Sequence, residues 1–289
     1  TEGMGWGVSR LVGLKVAFHF LIFVYIRTLG FTLLSVPFLY ASLVLLLISI
    51  ASHPGINLPL LLGKRADGTF PIWSLIMFSP FLYFVRTFSA LRRFLSKEAP
   101  YSEICDGVFV GGWPYSREIL PPGNPAIVDC TCELPRSSKI SENAYFCIPT
   151  WDTRSPQPAE IQSAVRWACR KRAQKAPVFI HCAHGHGRSV AVMCALLVAL
   201  GVAEDWKDAE KVIQERRPCI QMNALHRKAL EEWTSLRLCD HKRTGETDTD
   251  HLPRSSHEEP YPCDGSTQHQ QAYPPPLHLL KPQHAKDSL

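Results

Sequence analysis

The 289-residue sequence predicts a three-layer α/β domain, with a central sheet flanked by helices, preceded by transmembrane helices. Residues 100–239 alternate short apolar runs of strand length with longer runs of helix length, which is typical of an α/β domain. Residues 1–99 contain long uncharged apolar stretches, which favour membrane helices. Residues 240–289 are rich in Pro, His, Ser, Gln and acidic residues and predict a disordered tail.

The membrane region, residues 1–99, is expected to hold two or three hydrophobic spans. Residues 28–52 lack charged side chains and exceed the roughly 20 residues needed to cross a bilayer. Residues 11–26 are a weaker candidate, because a lysine and a histidine interrupt them. Residues 68–85 are uncharged but contain two prolines, so they fit either a third span or an interfacial or re-entrant segment.

Charge and cysteine content predict that the domain after the membrane region faces the cytosol. Residues 1–99 contain nine Lys and Arg against three acidic residues, and Arg92 and Arg93 follow the last apolar run before the acidic Glu98. The ten cysteines show no paired framework, which favours a reducing compartment. The apolar runs make the membrane an expected partner. The sequence has no basic stripe interleaved with aromatic residues, so nucleic acid is not an expected partner. The sequence does not predict an oligomeric state.

Within residues 100–239 the apolar patterns predict four strands and four helices around one core. The predicted strands are 107–110, 126–130, 145–148 and 178–181, and the predicted helices are 158–174, 189–200, 204–216 and 224–237. Cys130 and Cys132 alternate with the period of a strand, so they are predicted to pack in the core rather than to bind zinc. A regulatory disulfide between one of them and Cys182 stays open on sequence grounds.

The most informative segment lies between the last predicted strand and an apolar helix. Residues 181–189 are His-Cys-Ala-His-Gly-His-Gly-Arg-Ser, with Cys182 and Arg188 six positions apart. Unpaired backbone N–H groups and the positive end of the helix dipole converge at such a loop, which suits a phosphate dianion and a thiolate. Cys182 is therefore expected to be acidic and nucleophilic, and the guanidinium of Arg188 to hold two phosphoryl oxygens. The predicted phosphate-binding residues are Ala183, His184, Gly185, His186, Gly187 and Arg188.

This segment resembles the signature of the cysteine-dependent phosphatases, in particular their dual-specificity branch. The resemblance implies that Cys182 is the nucleophile, that Asp152, 30 residues upstream, is the general acid, and that Ser189 hydrogen-bonds the sulfur. It implies hydrolysis of phosphomonoesters through a cysteinyl phosphate, with no metal or cofactor. Asp152 also fits an ordinary turn aspartate, and Ser189 also fits a helix N-cap.

Other features of the segment bear on substrate and structure. His184 and His186 predict variable positive charge near pH 6.5. The resemblance implies a weak preference for polyanionic substrates, because relatives that act on phosphoinositides or phosphatidylglycerophosphate often have a basic residue at the position of His186. Arg217 and Asn223 resemble a closing segment in which the asparagine steadies the phosphate loop, although Asn223 fits a cap of the last helix equally well. A metal cluster of the histidines and the cysteine in this segment is disfavoured, because structural zinc ligands usually come as separated pairs.

Four functions compete on these grounds. The first two are a membrane-anchored dual-specificity phosphatase acting on phosphoproteins and the same chemistry acting on a phospholipid or inositol phosphate; the sequence does not decide between these substrates. The third, a scaffold that binds phosphate without turnover, is disfavoured by the presence together of Cys182, Arg188 and Asp152. The fourth, a sulfurtransferase, is disfavoured by Asp152 and Ser189.

Overall fold

The computed structural model describes residues 8–96 and 98–245. The helices in this part are α1 (Val8–Thr28), α2 (Thr32–Ala51), α3 (Ile72–Met77), α4 (Ser79–Leu95), α5 (Pro158–Ala173), α6 (Arg188–Ala199), α7 (Trp206–Arg216) and α8 (Ala224–Gly245). The strands are β1 (Tyr101–Cys105), β2 (Val108–Gly111), β3 (Ala126–Asp129), β4 (Tyr145–Cys147) and β5 (Val178–His181). The predicted tail, 240–289, begins within α8, and its remainder, 246–289, lies outside the described residues.

The α/β class, with a central sheet flanked by helices, is confirmed. The four predicted strands and four predicted helices of residues 100–239 are present, with ends within two residues of prediction except that α8 continues to Gly245. β1 was not predicted. Only Ile104 of this strand is buried, so the alternation of apolar and polar residues that marks a strand is too weak to recognise.

The carboxyl ends of the four parallel strands lie along the same side of the sheet. Its strand order is β1-β2-β5-β3-β4, with β1 antiparallel to β2 and the other pairs parallel. β5 lies in the centre, so the loop that begins at Cys182 leaves from the middle of that side. In open α/β sheets, ligands bind outside the carboxyl ends of the strands, which is where this loop lies.

The main core lies between the sheet and α5–α8. α6 is buried along almost its whole length, from Arg188 to Leu197, which explains why its sequence is apolar on every face. Cys130 and Cys132 are fully buried, as predicted, and the eight cysteines whose side chains the structure describes are free. The site is therefore supported by a helix that cannot shift without disturbing the core.

α1 and α2 form an antiparallel hairpin. Gly13 lies against Ser49, and Ser42 Oγ donates to the Val16 carbonyl at 3.2 Å, so the start of α1 lies beside the end of α2. Among the described helices, α2 is the one with the length and composition of a membrane span. It coincides with the central part of the predicted span 28–52.

Residues 68–85 do not form a single span. Pro71 precedes α3, which has only six residues, and the chain turns at Phe78 before α4 begins with Pro80 in its first turn. A proline cannot continue a helix but fits its first turn, so each of the two prolines begins a new helix. Of the two alternatives left by the sequence, a third span and an interfacial or re-entrant segment, the first would need one long helix, and neither α3 nor α4 has the length and composition of a membrane span.

The N-terminal helices pack directly against the domain that follows. A second core cluster joins residues of α1, α2 and α4 to Cys132 and Trp151. The Trp151 ring meets Phe81 of α4 edge to face, with ring centroids 6.0 Å apart. Arg154 Nη2 donates to the Ser52 carbonyl at 3.0 Å. The segment around residues 151–154 is thus held by helices that precede the sheet.

Candidate active site

The phosphate loop, residues 182–188, connects β5 to α6 and surrounds the sulfur of Cys182. Gly185 N and Ser189 Oγ each donate to Cys182 Sγ at 3.3 Å. Burial alone would raise the pKa of Cys182, but the charge of Arg188 and the hydrogen bonds from Ser189 and Gly185 outweigh it and hold that pKa below its ordinary value. The site therefore favours a thiolate, which is the reactive form.

The loop depends on one glycine. Gly185 has φ +78°, and a Cβ at this position would lie 2.5 Å from the carbonyl carbon of Gly111, at the end of β2. Glycine adopts positive φ freely and leaves room for the approaching strand. The backbone of Gly185 can therefore turn its N–H towards the sulfur.

Arg188 is held by a buried carboxylate that the sequence prediction missed. Its Nη1 and Nη2 donate to the two carboxylate oxygens of Glu133 at 3.1 and 2.8 Å, and Nη1 also donates to the Thr150 carbonyl at 2.7 Å. Glu133 is 3% exposed. A bidentate pair of this kind sets the plane of the guanidinium. The only sequence signal for Glu133 was an acidic residue among apolar ones shortly after β3.

Arg188 keeps one donor for a ligand. Its Nε is buried and has no hydrogen-bond partner among the described residues. Buried donors are normally paired, so an unpaired one in a site calls for a partner supplied from outside. A phosphoryl oxygen in the loop would provide it.

Asp152 lies at the mouth of the phosphate loop, in the acid loop (residues 148–156) between β4 and α5. Its Oδ1 is 3.2 Å from Arg188 Nη2, and its side chain is 55% exposed. The next residue, Thr153, has φ 64°, a strained conformation for a β-branched residue. The buried Trp151 on one side and this turn on the other aim the carboxylate towards the site.

Ser189 and Asn223 resolve two alternatives left by the sequence. The N-cap of α6 is Gly187, so the hypothesis that Ser189 is the N-cap is wrong and its hydroxyl is directed to the sulfur. Asn223 Oδ1 accepts from His226 N at 3.0 Å, which caps the start of α8. Its Nδ2 donates to the Thr153 carbonyl at 2.8 Å, so Asn223 steadies the acid loop rather than the phosphate loop.

The phosphate loop is braced by Arg217 instead. Arg217 Nε donates to the Gly185 carbonyl at 3.1 Å, and Nη2 donates to the His184 carbonyl at 3.0 Å. Its Nη1 reaches the Ala99 carbonyl at 3.1 Å, near the start of β1. These contacts fix the outward-facing carbonyls of the loop and leave its N–H groups turned inward.

The histidines do not supply the variable charge predicted near pH 6.5. Burial, with the nearby charge of Arg92, lowers the pKa of His184 to about 4. Burial also lowers the pKa of His186, although Glu98 accepts a 2.7 Å hydrogen bond from it. Both rings are therefore neutral at pH 7, because their partial burial disfavours the charged form.

One cluster of side chains with metal-ligand atoms takes a single residue, His186, from the segment considered from sequence. In the described part of the chain, Glu98, His186 and Cys219 offer ligand atoms within 4.8 Å of one another. Glu98 and His186 already hydrogen-bond, which accounts for their proximity. His181 is buried and stacks on Phe179, away from this group.

A family comparison identifies the domain. Residues 125–235 match the family model described as the dual specificity phosphatase catalytic domain. This segment is a dual-specificity phosphatase catalytic domain. The phosphatase domain makes the protein a phosphoric monoester hydrolase, and the resemblance found in the sequence is confirmed. The match includes Cys182, Arg188 and Asp152.

Three solved structures are similar to part of the chain. The structure of PTPMT1 is 22% identical, covers 50% of this chain and 99% of its own, and has a TM-score of 0.44. The active form of Tk-PTP is 23% identical over 46% of this chain and 95% of its own, with a TM-score of 0.43. The structure of the human tyrosine phosphatase-like serine/threonine/tyrosine-interacting protein is 20% identical. It covers 48% of this chain and 97% of its own, with a TM-score of 0.42. No curated protein matches the sequence significantly.

Proposed function

We propose that this protein is a membrane-anchored phosphatase that hydrolyses phosphomonoesters through a cysteinyl-phosphate intermediate on Cys182. The observation that carries the proposal is the environment of that sulfur, with Arg188 beside it and donors from Gly185 and Ser189 at 3.3 Å. An anionic sulfur in an amide-lined loop is both a nucleophile and the centre of a phosphate site.

In the first step Cys182 Sγ attacks phosphorus. The S–P bond forms while the bond from phosphorus to the leaving oxygen breaks, and Asp152 donates its proton to that oxygen. Arg188 binds the equatorial phosphoryl oxygens, and its unpaired Nε supports this role. The alcohol then leaves with the proton.

In the second step a water molecule attacks the cysteinyl phosphate. Asp152 accepts a proton from the water, the P–O bond forms, and the S–P bond breaks. The hydroxyl of Ser189 donates to the departing sulfur and stabilises the thiolate as it forms. Inorganic phosphate is released and Cys182 returns to its starting state.

The anchor in this proposal is the α1–α2 hairpin, crossing the membrane twice. The apolar length of α2 supports one crossing, and the antiparallel packing of α1 against it supports the second. With two spans, the start of the chain and the phosphatase domain lie on the same side. Arg86, Arg92 and Arg93 in α4 favour the cytosol for that side, where a thiolate also stays reduced.

The primary substrate class in this proposal is phosphoproteins, of the dual-specificity type. A second class, phospholipids or phosphoinositides, is favoured by a basic cavity beside the phosphate loop. Arg92, Arg93 and Arg217 line this cavity together with His184 and one acidic residue, Glu98. Arg92 and Arg93 come from a helix next to the proposed anchor, so their positive charge would lie near anionic head groups.

Activity of the full-length protein in detergent micelles tests the proposal. We expect turnover of p-nitrophenyl phosphate, trapping of a phosphorylated enzyme on acid quench, and loss of both in Cys182→Ser. Arg188→Ala should lose turnover and phosphate binding together. Turnover that persists in Cys182→Ser contradicts the mechanism, and cyanide-dependent formation of thiocyanate would support a sulfurtransferase instead.

A further inference from the structure

An apolar groove runs from the N-terminal helices into the catalytic site. Its cavity volume is about 90 Å³, and it is open to solvent at its mouth. Its apolar walls come from α1, from α4 and from the residue before Asp152. These wall residues are Val12, Phe81, Phe84, Val85, Phe88 and Trp151.

The inner end of the groove is the catalytic site itself. Asp152, Ala183 and His184 line this end together with the buried Glu133, so the groove opens onto the phosphate loop and the acid loop. A substrate with its phosphate beside Cys182 has a path for its leaving group along these walls. Since the walls are aromatic and aliphatic, the path suits a hydrocarbon chain, whereas a peptide main chain would leave its amides unpaired there.

One wall is a continuous stripe on α4. Phe81, Phe84 and Phe88 are three and four residues apart and therefore lie on one helix face. Phe81 is 2% exposed and fixed by its contact with Trp151, whereas Phe88 is 49% exposed. The stripe thus changes from a rigid inner part to an accessible outer part.

The outer surfaces of α3 and α4 favour contact with a lipid surface. Large apolar side chains on both helices are exposed, and α4 has two arginines in its last turn. Apolar side chains on one surface with basic residues at its border are typical of helices that lie in the membrane interface. The exposed apolar residues include Ile72, Trp73, Ile76, Met77, Tyr83 and Leu91.

We propose that the groove binds the hydrocarbon chain of a membrane lipid that ends in a phosphomonoester, and that it directs the phosphate of this lipid onto Cys182. The inference rests on the proposed function and favours its second substrate class over phosphoproteins, in the form of a long-chain alcohol or diacylglycerol esterified to phosphate. The S–P bond forms as the bond to the lipid oxygen breaks. Asp152 protonates that oxygen, the lipid alcohol remains in the bilayer, and water releases inorganic phosphate.

The first test compares two phosphate esters that differ in their acyl chains, phosphatidate and glycerol 3-phosphate, beside two esters without a lipid. Full-length protein in phosphatidylcholine nanodiscs would be assayed with a short-chain phosphatidate, with glycerol 3-phosphate, with a phosphotyrosine peptide and with p-nitrophenyl phosphate. We expect kcat/KM for the phosphatidate to exceed that for glycerol 3-phosphate by about a hundredfold, because several methylene groups would enter the groove. The peptide should be a poorer substrate than the phosphatidate.

The second test changes the wall of the groove. Phe88→Gln should lower the ratio of phosphatidate to p-nitrophenyl phosphate kcat/KM by about tenfold, the effect of losing one apolar contact with a chain. Leu236→Gln is the matched control, because Leu236 is 51% exposed, close to the 49% of Phe88, lies on α8 and does not line the groove. That variant should keep the wild-type ratio.

The outcomes separate this inference from the proposed function. Equal kcat/KM for phosphatidate and glycerol 3-phosphate, or a preference for the peptide, overturns the lipid groove and leaves the phosphatase chemistry standing. Equal ratios in Phe88→Gln and wild type overturn it as well. Absence of turnover for all four esters overturns the proposed function, and the groove inference with it.

Discussion

Lys64 Nζ lies 2.5 Å from Asp129 Oδ2, and both side chains are buried. Lys64 belongs to the segment between α2 and α3, whereas Asp129 ends β3, next to the central strand of the sheet. Burial alone would raise the pKa of Asp129, but the charge of Lys64 holds it at about 2. The other carboxylate oxygen accepts from Thr131 N at 2.8 Å, at the start of the segment that leads to Glu133. The N-terminal region thus supports the catalytic site through a buried charge pair.

Loss of Lys64 should destabilise the protein strongly. Lys64→Met leaves the Asp129 carboxylate buried without its partner, and we expect a loss of about 3–5 kcal/mol in the free energy of unfolding. Chemical denaturation of the full-length protein in detergent measures it. Arg117→Met, which breaks an exposed pair with Glu142, should change little. Lys64→Met with Asp129→Asn should recover much of the loss, and a stable single variant would contradict the prediction.

Buried histidines should make stability depend on pH. Burial lowers the pKa of His181 and of His226 to about 4, whereas an unfolded histidine titrates near 6.5. Between these values the unfolded chain binds protons that the folded chain does not. Stability is therefore complete above pH 6.5 and falls as the pH drops from 6.5 to 4. Urea denaturation at several pH values in this range measures how steeply the free energy of unfolding depends on pH. The dependence should be weaker in His226→Gln, and a free energy of unfolding that does not change with pH in the wild type would contradict the prediction.

The role of Asp152 as general acid can be tested with substrates that differ in their leaving group. Asp152→Asn should lower kcat for alkyl phosphates by about 10²–10⁴, because an alkoxide needs a proton to depart. The loss should be far smaller for p-nitrophenyl phosphate, whose leaving group is stable as an anion. Steady-state kinetics with both esters provides the internal control. An equal loss on the two esters would remove Asp152 from the acid role.

Asn223 should affect catalysis beyond its effect on stability. Asn223→Ala removes the cap of α8, which costs about 1 kcal/mol, and also the hydrogen bond to Thr153 in the acid loop. We expect kcat for alkyl phosphates to fall about tenfold as Asp152 loses its fixed position. Asp205→Ala removes the cap of α7, remote from the acid loop, and should keep the wild-type kcat. Equal kcat values in the two variants would show that Asn223 acts only as a cap.

Gly185 should be irreplaceable for a steric reason. Gly185→Ala would bring a methyl group within 2.5 Å of the Gly111 backbone, so the loop must move and activity should be lost. Gly201 also has a positive φ, of +73°, but its position has no neighbouring atom within 4 Å. Gly201→Ala therefore carries the backbone strain alone, about 1 kcal/mol, and should remain active. Assays with p-nitrophenyl phosphate compare the two, and an active Gly185→Ala would contradict the steric explanation.

The sequence by itself determined the parts of the site that are local in the chain. Cys182, Arg188 and Ser189 belong to one strand-loop-helix segment, whose geometry follows from its own residues. Asp152 was found through the resemblance, because its distance from Cys182 along the chain resembles that of the family. The strands and helices around them were predicted because each has a clear apolar period.

Only the tertiary structure decided the partners that come from distant parts of the chain. Glu133, Lys64 and the groove along α4 meet the site through folding, and no local pattern marks them. The charge of His184 was predicted wrongly for the same reason, since burial is a property of the assembled fold. Local periodicity determines elements and contiguous loops, whereas pKa values, ion pairs and cavities depend on which surfaces the packed core brings together.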